Sequence, residues 1–173
     1  LVSGGNDEQR RLATEILGSI GDRKAVDPLI LALGDASSDV RTAALWAIEE
    51  IGKPALSHLR RALEDGNALI RQGALDILIN MGDRNAVHHI IGALATDNRD
   101  IRWRAAEALG RIGDASSIAT LIGVLKDPDA DLRKVAASAL ADIGQQAVMP
   151  LLESLDDRST YLRQGVESAL AQM

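Results

Sequence analysis

Apolar residues return along this chain in two alternating stripes, each renewed about every thirty-one positions. Val40, Ala44, Ala47, Ile48 and Ile51 stand at i, i+4, i+7, i+8 and i+11, the spacing of one face of a 3.6-residue helix. The same columns hold Ile70, Ala74, Ile77, Leu78 and Met81, then Ile101, Ala105, Ala108, Leu109 and Ile112, then Leu132, Ala136, Ala139, Leu140 and Ile143. This stripe predicts the second helix of a repeat, helix B. A shorter stripe, Val26, Leu29 and Leu33, recurs as Leu56, Leu59, Leu63; Val87, Ile90, Leu94; Ile118, Leu121, Leu125; and Val148, Leu151, Leu155. It predicts the first helix, helix A.

Polar positions punctuate the stripes in phase. Asn6, Ser37, Asn67, Asn98, Asp129 and Ser159 precede the B stripes and are residue types able to cap first-turn amides. Gly21, Gly52, Gly82, Gly113 and Gly144 follow them, where a left-handed residue ends a helix. Six arginines, Arg10, Arg41, Arg71, Arg102, Arg133 and Arg163, keep steps of 31, 30, 31, 31 and 30 residues. The two short steps come from loops after Gly52 and Gly144 that are one residue shorter, which leaves both helical registers intact. Pro28 and Pro150 are expected in first turns of helix A, where proline is tolerated.

Periodicity of this length is the mark of a solenoid, in which each unit packs on its neighbours. The predicted order is one B helix followed by five A–B pairs, eleven helices in a single repeat domain spanning 1–173. Its half-repeat covers 1–21, and full repeats cover 22–52, 53–82, 83–113, 114–144 and 145–173.

Composition narrows the chemistry. Apolar residues make up 46% and aromatics 2%, with no Phe, two Trp and one Tyr, so Ala, Leu, Ile and Val must fill the interior. A net charge of −6 and a pI near 5.0 disfavour nonspecific nucleic-acid binding, which needs basic surface. The absence of cysteine excludes disulfides, thiolate metal sites and cysteine nucleophiles. No apolar run approaches the ~18–20 residues of a membrane span, and the start carries no signal-peptide pattern. The compartment stays open, with the cytoplasm favoured.

The run Ile101-Arg102-Trp103-Arg104-Ala105-Ala106-Glu107-Ala108-Leu109-Gly110-Arg111-Ile112-Gly113-Asp114 resembles the HEAT repeat, in its short 31-residue form first associated with phycobilisome lyase subunits. The resemblance extends over essentially the whole chain. It implies an all-α, right-handed α-solenoid of about 5.5 repeats, built from stacked antiparallel helix pairs. It says little about activity, because such repeats serve many functions.

The resemblance also implies a structural role for the arginine column. Asp35, Asp65, Asp127 and Asp157 stand six residues before Arg41, Arg71, Arg133 and Arg163, and Thr96 takes that place before Arg102. Such Asp and Arg residues are expected to form a hydrogen-bonded ladder between stacked turns, with guanidinium donors suited to loop carbonyls and carboxylates.

In solenoids of this family helix B lines the concave face. The B positions opposite the buried stripe are therefore the candidate binding surface: Thr42, Trp46 and Glu50; Gln72, Asp76 and Asn80; Trp103, Arg104, Glu107 and Arg111; and Lys134. These columns vary between repeats while the core columns do not. Both tryptophans fall in them, and Trp is the residue most enriched at interface hot spots. The structural alternative is that each indole closes a gap left by Gly73 or Ala43. Stacking at ~10 Å per helix layer predicts the two indoles roughly 20 Å apart, with Gln72, Asp76 and Asn80 between them.

Catalytic and metal signatures are missing. His58 and His89 occupy matching helix A positions, but no carboxylate recurs there and adjacent His88 points elsewhere, so all three are expected to face solvent. No His-Glu dipeptide, glycine-rich phosphate loop or Ser/His/Asp arrangement is present. The expected function is a non-catalytic protein- or peptide-binding scaffold without cofactor or metal, acting on neither nucleic acid nor membrane. The alternative is a subunit or regulatory domain of an enzyme, such as a bilin lyase-like chromophore-handling protein. Val166, Ala169 and Leu170 of the last helix are expected to leave an apolar edge, which would favour edge-mediated or end-to-end oligomers.

Overall fold

A computed structural model of the chain describes residues 5–173. Among these, eleven α-helices and five single 3-10 turns occur and no strand. The B helices are α1 (Asp7–Ile20), α3 (Ser38–Ile51), α5 (Ala68–Met81), α7 (Arg99–Ile112), α9 (Ala130–Ile143) and α11 (Thr160–Gln172). The A helices are α2 (Val26–Ala32), α4 (Leu56–Ala62), α6 (Val87–Ala93), α8 (Ile118–Val124) and α10 (Gln145–Glu153). This is the α-solenoid pattern, with helix pairs joined by short loops.

The stripe read from the apolar spacing is the one that packs. Val40, Ala44, Ala47, Ile48 and Ile51 are the buried residues of α3, and Leu132, Ala136, Ala139, Leu140 and Ile143 are buried in α9 together with Ala137. Leu29, Leu59, Ile90, Leu121 and Leu151 of the A helices are fully buried. Leu155 departs from its column. It lies in a 3-10 turn, Ser154–Asp156, beyond α10, and is exposed.

Helix ends follow their sequence signals with informative exceptions. Asn6 accepts from the Gln9 amide at 2.9 Å while its own amide donates to Gln9 Oε1 at 3.1 Å, a reciprocal capping box. Asn98, Asp129 and Ser159 also cap through their side chains, and Asn67 accepts from the Leu69 amide. Ser37 makes no side-chain cap bond. All five closing glycines have positive φ, and four of them fall into two kinds. Gly21 and Gly113 are left-handed helical, with ψ of 12° and 29°. Gly52 and Gly144 have ψ of −136° and −141°, a region open essentially to glycine alone. These two precede the shortened loops, so deletion of a residue is absorbed by a wider swing of the glycine. Pro150 is a correction. It sits inside α10 and not in its first turn, because α10 starts directly after Gly144 without the 3-10 turn that precedes the other A helices.

The chain divides into two compact units, Leu1–Met81 and Gly82–Met173. In the first, B helices α1, α3 and α5 pack in succession and α2 lies against α4; in the second, α7, α9 and α11 follow one another and α8 lies against α10. The units repeat each other at an offset of 92 residues, the interval from Arg10 to Arg102. Gly18 and Gly110 are matched at that offset, and both allow two B helices to approach closely. A Cβ on Gly18 would lie 2.6 Å from Ala47 Cβ, and one on Gly110 would lie 2.7 Å from Ala139 Cα. Gly73 and Gly165, also matched, receive Leu33 and Leu125, each 3.2 Å or less from the added Cβ. The two units thus share these close approaches at matched positions three repeats apart.

The apolar edge expected on α11 is absent. Val166 and Ala169 are fully buried and Leu170 is half-buried, because α11 turns its stripe onto the elements before it. Met149, Leu152, Leu155, Tyr161 and Met173 are the exposed large hydrophobic residues of that region. No described helix is long and apolar enough to cross a membrane.

Candidate functional site: two matched grooves on the B helices

The close approach of α1 to α3 sets up a groove in the first unit. Small residues Gly18, Ala43 and Ala47 line it, with Arg11 and Glu15 from α1 and Asp39, Thr42, Trp46 and Glu50 from α3. It is an open groove of about 670 Å³. On α3 the row Asp39, Thr42, Trp46, Glu50 runs at steps of three or four residues, which brings side chains into line along one helix face. Trp46 is 67% exposed. It does not fill the space above Gly73, which Leu33 occupies.

The second unit carries the matching groove between α7 and α9. Its lining includes Trp103, Glu107 and Arg111 from α7 and Asp131, Lys134, Val135, Ser138 and Asp142 from α9, with a volume of about 680 Å³. Residue for residue at the 92-position offset, Arg11 is replaced by Trp103, Trp46 by Ser138, Thr42 by Lys134 and Ser19 by Arg111. The indole has changed walls. Trp103 is 41% exposed.

Charges differ between the grooves. In the first, Arg11 is ion-paired with Glu15 one helical turn away, while Asp39 and Glu50 have no hydrogen-bond or ion-pair partner among the described residues. In the second, Arg99 binds Asp131 at 2.8 Å and also Asp129, and Lys134 lies 3.8 Å from Asp131. The Arg99 guanidinium holds the Asp129 carboxyl well below the usual carboxylate range, helped by the first-turn amides of α9.

The remaining expected surface residues are placed as follows. Gln72 donates to Asp76 at 3.3 Å within α5, and Asn80 donates to Glu49 of α3 at 2.8 Å. These three belong to the unit of Trp46, as do Thr42 and Glu50; Arg104, Glu107, Arg111 and Lys134 belong to the unit of Trp103. Arg104 is half-buried and Arg111 exposed. Sequence reasoning passed over Asp39, Arg99, Asp100 and Asp131, because it followed only the columns after each arginine. The signal was available in the 92-residue self-match, which aligns Asp39 with Asp131 in equivalent first turns.

The arginine and aspartate columns do two separate things. Within a repeat, the guanidinium reaches loop carbonyls: Arg41 donates to Asp35 O and Ala36 O, Arg71 to Asp65 O and Gly66 O, and Arg133 to Asp127 O and Pro128 O, at 2.7–3.1 Å. Arg163 donates to Arg158 O at 3.1 Å. Between repeats, the carboxylate receives the preceding arginine. Arg10 grips Asp35 with Nε and a terminal nitrogen at 2.8 and 2.9 Å, and Arg102 donates to Asp127 at 2.8 Å. These two pairs are matched at the 92-residue offset. Each aspartate also accepts from the amide two residues on, at Ser37, Asn67, Asp129 and Ser159. After the shortened loop the partners change: Lys126 takes Asp157, and the Arg133 guanidinium sits 4.2 Å from the centre of the Tyr161 ring. Thr96 instead donates to Ala93 O. Hydrogen bonding to Arg10 is the main cause that holds the Asp35 carboxyl below its ordinary range.

His58 corrects the expectation for the histidines. Its ring contacts Asp27 Oδ1 at 2.6 Å and its side chain is 15% exposed; His88 and His89 are exposed. Among the described residues, no three His, Asp or Glu side chains cluster in a way that could hold a metal ion.

No curated protein matches this chain. Among solved structures, an engineered protein is similar over 99% of this chain and 93% of its own, at 19% identity and a TM-score of 0.59. A designed armadillo repeat protein in complex with the peptide (KR)4 is similar over 99% and 95%, at 18% identity and a TM-score of 0.60. The complex of CpcE and CpcF of phycocyanin lyase from Nostoc sp. aligns over 99% of this chain and 76% of that one, at 23% identity and a TM-score of 0.42. The family model for HEAT repeats matches residues 1–79, 57–134 and 87–171, together nearly the whole chain and every repeat derived above. The chain belongs to the HEAT-repeat family.

Proposed function

We propose that this protein is a non-catalytic scaffold that binds a protein or extended peptide along the exposed face of its B helices, with Trp46 and Trp103 as anchors. The observation that carries this reading is the position of the two indoles. Each stands exposed in a groove between two B helices of its unit, and the two grooves are matched although the indole comes from opposite walls. An exposed indole contributes little to folding, whereas a buried one at an interface contributes much. The grooves are open, which suits a chain segment more than an enclosed small molecule.

Selection from a random peptide library tests the reading. Selected peptides should lose binding to the Trp46→Ala, Trp103→Ala double variant while its helical content and unfolding midpoint stay close to those of the parent. Undiminished binding to a folded double variant would contradict the reading.

A further inference from the structure

The matched grooves share a framework, yet their charges have diverged. The Trp46 groove contains one cation, Arg11, and it is engaged by Glu15. Asp39 and Glu50 stand on either side of Trp46 along α3 and are exposed. Glu50 is one turn from the indole, and Asp39 about two turns in the other direction, roughly 10 Å along the axis. Neither has a partner among the described residues. The Trp103 groove, by contrast, is lined by Lys134 where the first groove has Thr42, by Arg111, whose match Ser19 does not line the first groove, and by Arg99.

We propose that the Trp46 groove is a receptor for a cationic side chain, an arginine or lysine presented by the bound peptide. The cation lies over the exposed indole face, where the ring quadrupole attracts it, and its charge is met by Asp39 or Glu50. An aliphatic stem would lie along Ala43 and Ala47. Arginine suits the place better than lysine because its planar guanidinium stacks on an aromatic face and gives up its hydration more readily. The Trp103 groove is less selective, since Arg99, Lys134 and Arg111 set three cations against its carboxylates Asp100, Glu107, Asp131 and Asp142, whereas the Trp46 groove sets Arg11 alone against Glu15, Asp39 and Glu50. The inference rests on the reading of the B-helix face as the binding surface and adds the chemistry of what it binds.

The test uses a short peptide with one central arginine, its twin with citrulline in that place, and indole fluorescence. Citrulline keeps the shape and removes the charge. The Trp103→Phe variant reports Trp46 alone, and the Trp46→Phe variant reports Trp103 alone. The arginine peptide should quench Trp46 with at least tenfold higher affinity than the citrulline twin, and should show no such preference at Trp103. Asp39→Asn with Glu50→Gln should abolish the preference. Glu153→Gln with Asp156→Asn, which removes two exposed charges on the second unit, should leave it within twofold and so excludes general attraction to an acidic chain. Equal binding of the two peptides would overturn the cation assignment while leaving the B-helix surface standing. Absence of binding by either would overturn the assignment too, and the library selection would then decide the surface independently.

Discussion

Arg10 and Asp35 show how a single pair fastens one repeat to the next. The contact is bidentate, and both side chains are largely buried, at 16% and 12% exposure. Removal of the charge in Asp35→Asn should lower stability by about 1–3 kcal/mol, the range for a hydrogen bond to a charged group, as read from urea unfolding at pH 7. The sign with pH follows from the direction of the shift. The carboxyl is held low in the folded state, so its contribution is complete above the unfolded value near ~3.9 and is lost as pH falls through the lower folded value. The parent should therefore lose stability more steeply than Asp35→Asn below about pH 4. The columns to which these residues belong were legible in the sequence, since every copy repeats in phase. Their exact partners were less so. A ladder between stacked turns was expected, and the Asp35 side chain does reach the arginine twenty-five positions earlier, while the nearer Arg41 takes the Asp35 carbonyl. Only the stacking of loops decides between the two.

Helices end and pack here through glycines whose roles differ although their sequence columns look alike. Gly92 and Gly123 lie in α6 and α8 with open space around an added Cβ, whereas Gly18 and Gly110 face the next B helix at contact distance. Replacement of Gly92 or Gly123 by Ala should stabilise by about 0.5–1 kcal/mol through helix propensity. The same change at Gly110 gains that propensity but forces α7 from α9, and overpacking of about 1–3 kcal/mol or more should make it destabilising on balance; paired thermal melts give both signs. Glycines at the loops divide in the same way. Gly52→Ala should be more damaging than Gly21→Ala, because ψ near −136° at positive φ is closed to a side chain while the left-handed helical region is merely disfavoured. Unfolding midpoints of the two variants check the order. Periodicity revealed where the helices lie, and fixed spacing revealed which face is buried. Which B helices touch most closely depended on one column, glycine in the first and fourth repeats and Glu49 or Ile79 in the second and third, a contrast that has meaning only once neighbouring helices are known.

On the scale of the molecule, two units of a HEAT array each present a groove, with one helical plan and two surface chemistries. At the 92-residue offset most core positions keep their apolar character and Arg10/Arg102, Asp35/Asp127, Gly18/Gly110 and Gly73/Gly165 keep their identity, while the indole, Thr42/Lys134 and Ser19/Arg111 positions change in character. That division, constant framework and varied face, is what a binding surface requires, and it is legible in the sequence columns alone. The grooves themselves were less visible, because their lining draws on first turns such as Asp39 that face solvent for reasons unrelated to the apolar stripe. Framework and face should also separate energetically. Ile48→Ala removes a fully buried side chain and should cost about 2–5 kcal/mol, whereas Trp46→Ala should change stability by no more than about 0.5 kcal/mol, as for an exposed surface substitution. The most direct test of the binding face is acrylamide quenching of Trp46 in the Trp103→Phe variant, free and saturated with a library-selected peptide. The account predicts strong quenching in the free protein and loss of most of it in the complex; quenching that persists unchanged at saturation would contradict it.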